Sequence, residues 1–179
     1  ALQTIPSRQM DAVRSPVIVT IGMIQGGVRY NIIPQTVQMQ GTVRYLNPET
    51  RQDLYNRIRR TVTETAAASG ATAEVTITEN AIPTVNPPAL MTRTRAAVVR
   101  ALGEDHVISG QPVMPAEDFA YFQQAVPGAF FFYGVNPPGV TAEQAPPNHN
   151  PNFFVHEPAT ETGLRAMLAV ALDRVGGGG

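Results

Sequence analysis

The sequence predicts a mixed chain, α/β and α+β, built of two units: a ferredoxin-like sandwich whose first strand is absent, then part of a layered α/β domain. Three observations lead there. Residues 1–86 read as a helix tail and then strand, strand, strand, helix, strand, the order of a split βαβ sandwich. Asn86-Pro87-Pro88 then break the pattern, since a double proline ends a strand and opens a helix. Charge changes along the chain too: residues 1–60 hold eight arginines against three acids, and residues 61–179 hold five against eleven.

Each element has its own signal. The helix tail rests on Leu2 and Ile5. Residues 17–24 (VIVTIGMI) are rich in β-branched types. Gly26-Gly27 make a turn, and 28–33 form a short strand that Pro34 either confines to an edge or breaks. Residues 37–45 alternate strictly, with Val37, Met39, Val43 and Tyr45 inward and Gln38, Gln40, Thr42 and Arg44 outward. Asn47-Pro48 cap a helix in which Leu54, Ile58, Val62, Thr65 and Ala66 recur at helical spacing as far as Gly70. Residues 73–79 alternate again as a strand. In the second unit, helices are expected at 88–102, 116–124 and 158–175, and strands at 106–109 and 129–134. A proline-rich loop covers 136–152. Phe130, Phe131 and Phe132 read as a strand buried on both faces. In the last helix Leu164, Met167, Leu168, Ala171, Leu172 and Val175 form one apolar stripe. A glycine tail occupies 176–179.

Composition narrows the functions. With 43% hydrophobic and 15% charged residues, the chain can bury a core. No apolar run reaches the roughly 20 residues needed to cross a bilayer, and no targeting leader is recognisable, so the expected setting is cytoplasmic. Zero cysteines exclude disulfides, thiolate metal sites and a cysteine nucleophile. Arg51, Arg57, Arg59 and Arg60 lie on one predicted helix without interleaved aromatics, which reads as a solvated face rather than a nucleic-acid surface.

Few residues carry chemistry. His149 sits in a proline-fixed loop after the apolar 130–132 run, where layered sheets place their sites, although a lone histidine also fits a hydrogen-bonded loop role. His156, at a helix start, and His106, after Glu104-Asp105, read as structural or solvated. Glu117-Asp118 open a helix, where carboxylates favour the dipole and the free amides. Arg44 projects from the polar face of its strand, and its guanidinium could hold a carboxylate through two parallel hydrogen bonds. Asn31, between a Gly-Gly turn and Pro34, could add a third donor. Plain readings stand beside these: a solvated strand arginine and a turn asparagine.

Four segments together resemble the dinuclear-metal amidohydrolases and peptidases that include N-acyl-amino-acid amidohydrolases, hippurate hydrolases and auxin-conjugate hydrolases. They are Gly26-Gly27 with Asn31-Ile32-Ile33-Pro34; Gly41-Thr42-Val43-Arg44; Met114-Pro115-Ala116-Glu117-Asp118-Phe119, continuing to Val126-Pro127-Gly128-Ala129-Phe130-Phe131-Phe132; and Asn148-His149-Asn150-Pro151-Asn152-Phe153. Their order matches the family from Ala1 to about Val175. The resemblance implies that 1–86 is a lid and dimerisation domain, incomplete at its amino end, and that 87–175 is the carboxy-terminal part of a catalytic domain. It implies that His149 matches a metal ligand of a pair of divalent ions, zinc or manganese, and that Asn31 and Arg44 bind the substrate's carboxylate, often reaching into a partner subunit's site. Glu117 and Asp118 match an acidic pair near the site and are kept as structural. Family members commonly have aspartate where this chain has His156.

The rest of the family's machinery is absent here: no Cys-x-His pair, no Glu-Glu pair and no Gly-Gly-His. No catalytic residue is therefore assigned, and the chain alone is not expected to hold the two metals. The expectation is a fragment of a metal-dependent hydrolase acting on the amide bond of N-acyl amino acids or small peptide-like substrates. It would be a homodimer through the lid, completed by an amino-terminal half, with no nucleic-acid or membrane partner. A non-catalytic dimerisation module and a ferredoxin-like small-molecule sensor are the alternatives.

Overall fold

The computed structural model describes residues 1–176, and among them the chain divides into two compact units. The first is Ala1–Pro83 with Pro112–Ala120; the second is Thr84–Gln111 with the chain from Tyr121 onward. The first break lies between Pro83 and Thr84. Pro112–Ala120 departs from the expectation: assigned from sequence to the second unit, it packs with the first.

The first unit is a two-stranded antiparallel ribbon over a helix. Strands β1 (Val17–Gly26) and β2 (Val37–Tyr45) pair from Val17↔Tyr45 to Gly26↔Val37, with a register step between Ile21 and Met23. Gly41 lies opposite Ile21, and a Cβ there would come 2.0 Å from the Thr20 carbonyl oxygen, so the backbones approach too closely for any side chain. The expected alternation of β2 holds at its inner end, where Tyr45 is buried and Val43 half-buried. It lapses further out. Val37 and Met39, expected inward, are 53% and 54% exposed because the ribbon runs past the core.

That core is Ile5, Val17, Val19, Tyr45, Leu54 and Ile58, flanked by Leu2, Met10, Val43, Tyr55, Val75 and Ile77. Leu54 and Ile58 come from helix α1 (Arg51–Ala68), which ends as expected before Gly70, at φ +70°. Asn47 caps the preceding 3-10 turn, its Oδ1 accepting from the Glu49 amide at 2.9 Å. The helix tail at Ile5 forms a single π turn, Ile5–Gln9, and Gln3 ties it to β1 by donating to the Val19 carbonyl at 2.8 Å.

Two expected strands of this unit do not form. Residues 28–33 lie in an exposed loop from Gly27 (φ +83°), where Ile32 turns back to the Arg29 carbonyl. Among the described residues nothing covers Val28, Tyr30 or Ile33, and Pro34 lacks the donor a ladder needs. Residues 73–79 keep their alternation, with Val75 and Ile77 turned to the core, but their peptide groups make no ladder. The mixed α/β character holds; the sheet among the described residues is a ribbon.

The second unit centres on two helices, α2 (Pro88–Leu102) and α4 (Pro158–Val175), both close to their expected limits. They are joined by charge. Arg93 donates to the Asp173 carboxylate and carbonyl, each at 2.6 Å, and Arg100 donates to the same carboxylate at 2.5 Å. The buried face of α4 corrects the expected stripe. Gly163 and Ala166 are buried, while Leu164, Met167, Leu168, Leu172 and Val175 are all more than half exposed. The small residues face inward because the Tyr133 ring lies on Gly163, where a Cβ would meet Cε2 at 2.9 Å.

The remaining elements are short. The 106–109 strand is replaced by a 3-10 turn, Glu104–His106, and irregular chain. Helix α3 is Phe119–Ala125. Residues 129–134 form no strand ladder; Phe130 and Phe131 are half-buried and Phe132 is 70% exposed, against the expectation of burial on both faces. Asn86 takes the place of a neighbouring strand: its Oδ1 accepts from the Phe130 amide and its Nδ2 donates to the Phe130 carbonyl, both at 2.7 Å. Thus Asn86 spends its side chain on Phe130 instead of capping α2. Gly176 follows α4, and the rest of the expected glycine tail lies outside the described residues.

The hydrogen bond from Arg93, with Arg100 beside it, holds the Asp173 carboxyl below the usual carboxylate range. A folded-state pKa below the unfolded value contributes stability above the unfolded value, and this is lost as pH falls through the folded one. Thermal melts of the chain are therefore expected to lose stability as pH drops below about 4. Asp173→Asn should flatten that dependence, and an unchanged slope would remove Asp173 as its source.

Candidate functional site

Arg44 owes its direction to its neighbour. Tyr45 is buried, and its hydroxyl donates to Glu79 Oε1 at 3.0 Å. Arg51 donates to both oxygens of the same carboxylate at 3.2 and 3.1 Å, and the Tyr55 hydroxyl reaches Oε1 at 3.4 Å. The two rings meet edge to face, 6.3 Å between centroids. Burial, reinforced by the Glu79 bond, pushes the Tyr45 hydroxyl far above the usual tyrosine range, so it remains a donor. With Tyr45 inward, strand alternation turns Arg44 outward. There it is exposed, and its Nη1 donates to the Met114 carbonyl. The Glu79 node escaped sequence analysis because its members come from three separate segments.

Arg44 and Asn31 are not brought together. Arg44 pairs with Ile18 near the inner end of the ribbon, while Asn31 sits in the exposed loop beyond the Gly26↔Val37 rung. Seven residues of strand separate Val37 from Arg44, a span of roughly 23 Å at the usual rise. The strand thus carries Arg44 to the opposite end of the ribbon from the loop that holds Asn31.

His149 is exposed, in a turn where the Asn150 amide bonds the Pro147 carbonyl at 3.1 Å. Its φ is +69°, the only positive value among described non-glycine residues. Such a backbone costs on the order of 1 kcal/mol, which makes the turn a constrained one. The loop closes where the His156 amide bonds the Val135 carbonyl at 2.9 Å, so His149 hangs beyond the end of the 130–132 run. His156 is half-buried and His106 exposed. Glu117 Oε1 accepts from the Phe119 amide at 3.1 Å, a carboxylate at the entry to α3. With Asp118, Asn80, Ala81 and Ala116 it lines an open depression of about 360 Å³.

These features sit in a chain whose residues 6–173 match the family model described as Peptidase family M20/M25/M40. The chain belongs to that peptidase family. It is 36% identical over 174 residues to thermostable carboxypeptidase 1 of Saccharolobus solfataricus, covering 95% of this chain and 42% of that protein. It is 33% identical over 175 residues to IAA-amino acid hydrolase ILR1-like 5 of Arabidopsis thaliana, covering 96% and 40%. Among solved structures it resembles the Bacillus subtilis YXEP protein, described as a dinuclear metal binding peptidase from the M20 family, with a TM-score of 0.70 and 31% identity over 95% of this chain and 44% of that one. The M20 chain here thus spans about two-fifths of the length of the relatives it matches.

The family resemblance and the names of these relatives agree on hydrolase and metallopeptidase chemistry with two metals in the family. Among the described residues no group of three or more His, Cys, Asp or Glu side chains is placed to hold a metal ion. A divalent zinc site needs three or four protein ligands, and among the described residues His149 belongs to no such group. Calorimetric titration of this chain with zinc is therefore expected to show no stoichiometric binding at micromolar concentration. Two tight equivalents would mean that ligands other than His149 had been overlooked.

Proposed function

We propose that this chain is the lid and the carboxy-terminal part of the catalytic domain of an M20-family amidohydrolase, which cleaves the amide bond of N-acyl amino acids or small peptide-like substrates. Arg44 carries the reading. It stands outward beside an anchored tyrosine with most of its guanidinium donors unspent, which suits a substrate bearing a free carboxylate. The names of the similar proteins, a carboxypeptidase and an amino acid hydrolase, fit a substrate of that class.

In this reading the intact enzyme carries two divalent ions, to which His149 contributes one ligand. The remaining ligands and the general base come from outside these residues. Support comes from the relatives' greater length and from two surfaces here that suit cover by further chain: the exposed stripe of α4 and the half-exposed 130–132 run. Homodimerisation through the first unit is part of the same proposal. The outer half of the ribbon exposes Ile24, Val37 and Met39 around an unpaired pair of strand edges, the kind of surface strand addition uses. A dimer also resolves the separation of Asn31 from Arg44, because Asn31 of one protomer can complete the carboxylate site of the other.

Kinetics of the intact enzyme test the assignment. Arg44→Ala should raise KM for N-acyl amino acids about 10- to 100-fold, the loss of a charge-assisted hydrogen-bonded pair. The corresponding amides should change little, and metal content should be unaltered. Equal effects on acids and amides would show that Arg44 supports the fold instead.

A further inference from the structure

The Arg44 guanidinium is held from across the first unit by a residue that no carboxylate-binding role accounts for. Its Nη1 donates to the backbone carbonyl of Met114, seventy residues away in sequence. Met114 belongs to Pro112–Ala120, the stretch that packs with the first unit despite following α2 in the chain. This is the one side-chain hydrogen bond Arg44 makes among the described residues. A guanidinium presents five N–H donors in a planar fork. With Nη1 engaged, the Nε and Nη2 hydrogens form an intact edge of the spacing that a carboxylate accepts in two parallel bonds.

The carbonyl is itself aimed. Met114 precedes Pro115, and a residue before proline is disfavoured in the helical region and biased toward extended backbone. The next fixed point is Glu117, whose carboxylate grips the Phe119 amide at the start of α3. The carbonyl therefore sits on a short stretch restrained on both sides, and it meets an arginine whose root is fixed by the buried Tyr45.

We propose that the Met114 carbonyl, directed by Pro115, is the positioning group for Arg44: it fixes the guanidinium plane so that the Nε–Nη2 edge is ready for a ligand carboxylate. The inference rests on the proposed carboxylate role of Arg44 and adds to it a segment without direct ligand contact. Its benefit is preorganisation. Immobilising a long side chain on binding costs affinity, and a tether present before binding removes much of that cost.

Arginine side-chain ¹⁵N NMR on this chain provides the test, with N-acetylglycine as carboxylate probe and N-acetylglycinamide as control. In the ligand-free protein, rotation of the Arg44 guanidinium about its Nε–Cζ bond is expected to be hindered relative to the exposed Arg59 and Arg60. Pro115→Ala, at an exposed position, should free it and weaken N-acetylglycine binding about two- to tenfold, with the amide probe unaffected. A freely rotating Arg44 in the unsubstituted chain would overturn the tether. Hindered rotation with unchanged probe affinity in Pro115→Ala would overturn the positioning role while leaving the carboxylate reading intact. The carboxylate reading fails separately, if Arg44→Ala binds N-acetylglycine as well as the original chain does. Should Pro115→Ala unfold by circular dichroism, Pro115→Gly in the same assay decides between these outcomes.

Discussion

The buried Tyr45 and its bond to Glu79 set the geometry on which the first unit depends. A strand residue has two directions to choose from, and burying Tyr45 among Ile5, Leu54 and Ile58 fixes the choice for its neighbours. Glu79 makes the choice firm by accepting from Tyr45, Arg51 and Tyr55 together. The carboxylate thereby joins the end of β2, the first two turns of α1 and the end of the extended 73–79 segment. The Arg51 pair is partly exposed and contributes little as a salt bridge. Satisfying a tyrosine hydroxyl that enters the core matters more, since leaving it unpaired would cost about 1 to 3 kcal/mol.

The second unit uses polar side chains for work that regular structure performs elsewhere. Asn86 offers the Phe130 backbone a donor and an acceptor, as a strand rung would. Asp173 gathers Arg93 and Arg100 and so ties α4 to α2. The consequence is an α4 whose leucines point outward. In the proposed enzyme that surface belongs to the interior of a larger catalytic body, of which the relatives' length leaves ample room.

Local signals in the sequence translated well. The Asn47 cap, the Gly70 stop, the Pro158 start and the strand at 37–45 each depend on residues a few positions apart, and each is found in the structure, although the inward–outward alternation of that strand survives only at its inner end. Expectations that depended on distant partners fared differently. Residues 73–79 and 129–134 have strand sequences, yet a strand exists only where another lies beside it. The α4 stripe was legible as apolar but not as exposed, because periodicity identifies a face and not what covers it. For the site, the outward direction of Arg44 was readable from alternation. Its separation from Asn31 follows from the same strand, which carries the chain away from the loop that holds Asn31 to the far end of the ribbon. The Met114 contact, at seventy residues, left no sequence signal at all.

That hairpin makes the most direct demand on the account. If one carboxylate is bound by both residues, they must come from different protomers, and a subunit-mixing experiment on the intact enzyme reads this without a structure. Arg44→Ala and Asn31→Ala homodimers each lose the pair in both sites. A heterodimer of the two concentrates both losses in one site and leaves the other complete. After random subunit exchange, low-KM hydrolysis of an N-acyl amino acid should return to about a quarter of the unsubstituted enzyme's. Mixing that restores nothing would contradict a carboxylate site shared between Arg44 of one protomer and Asn31 of its partner.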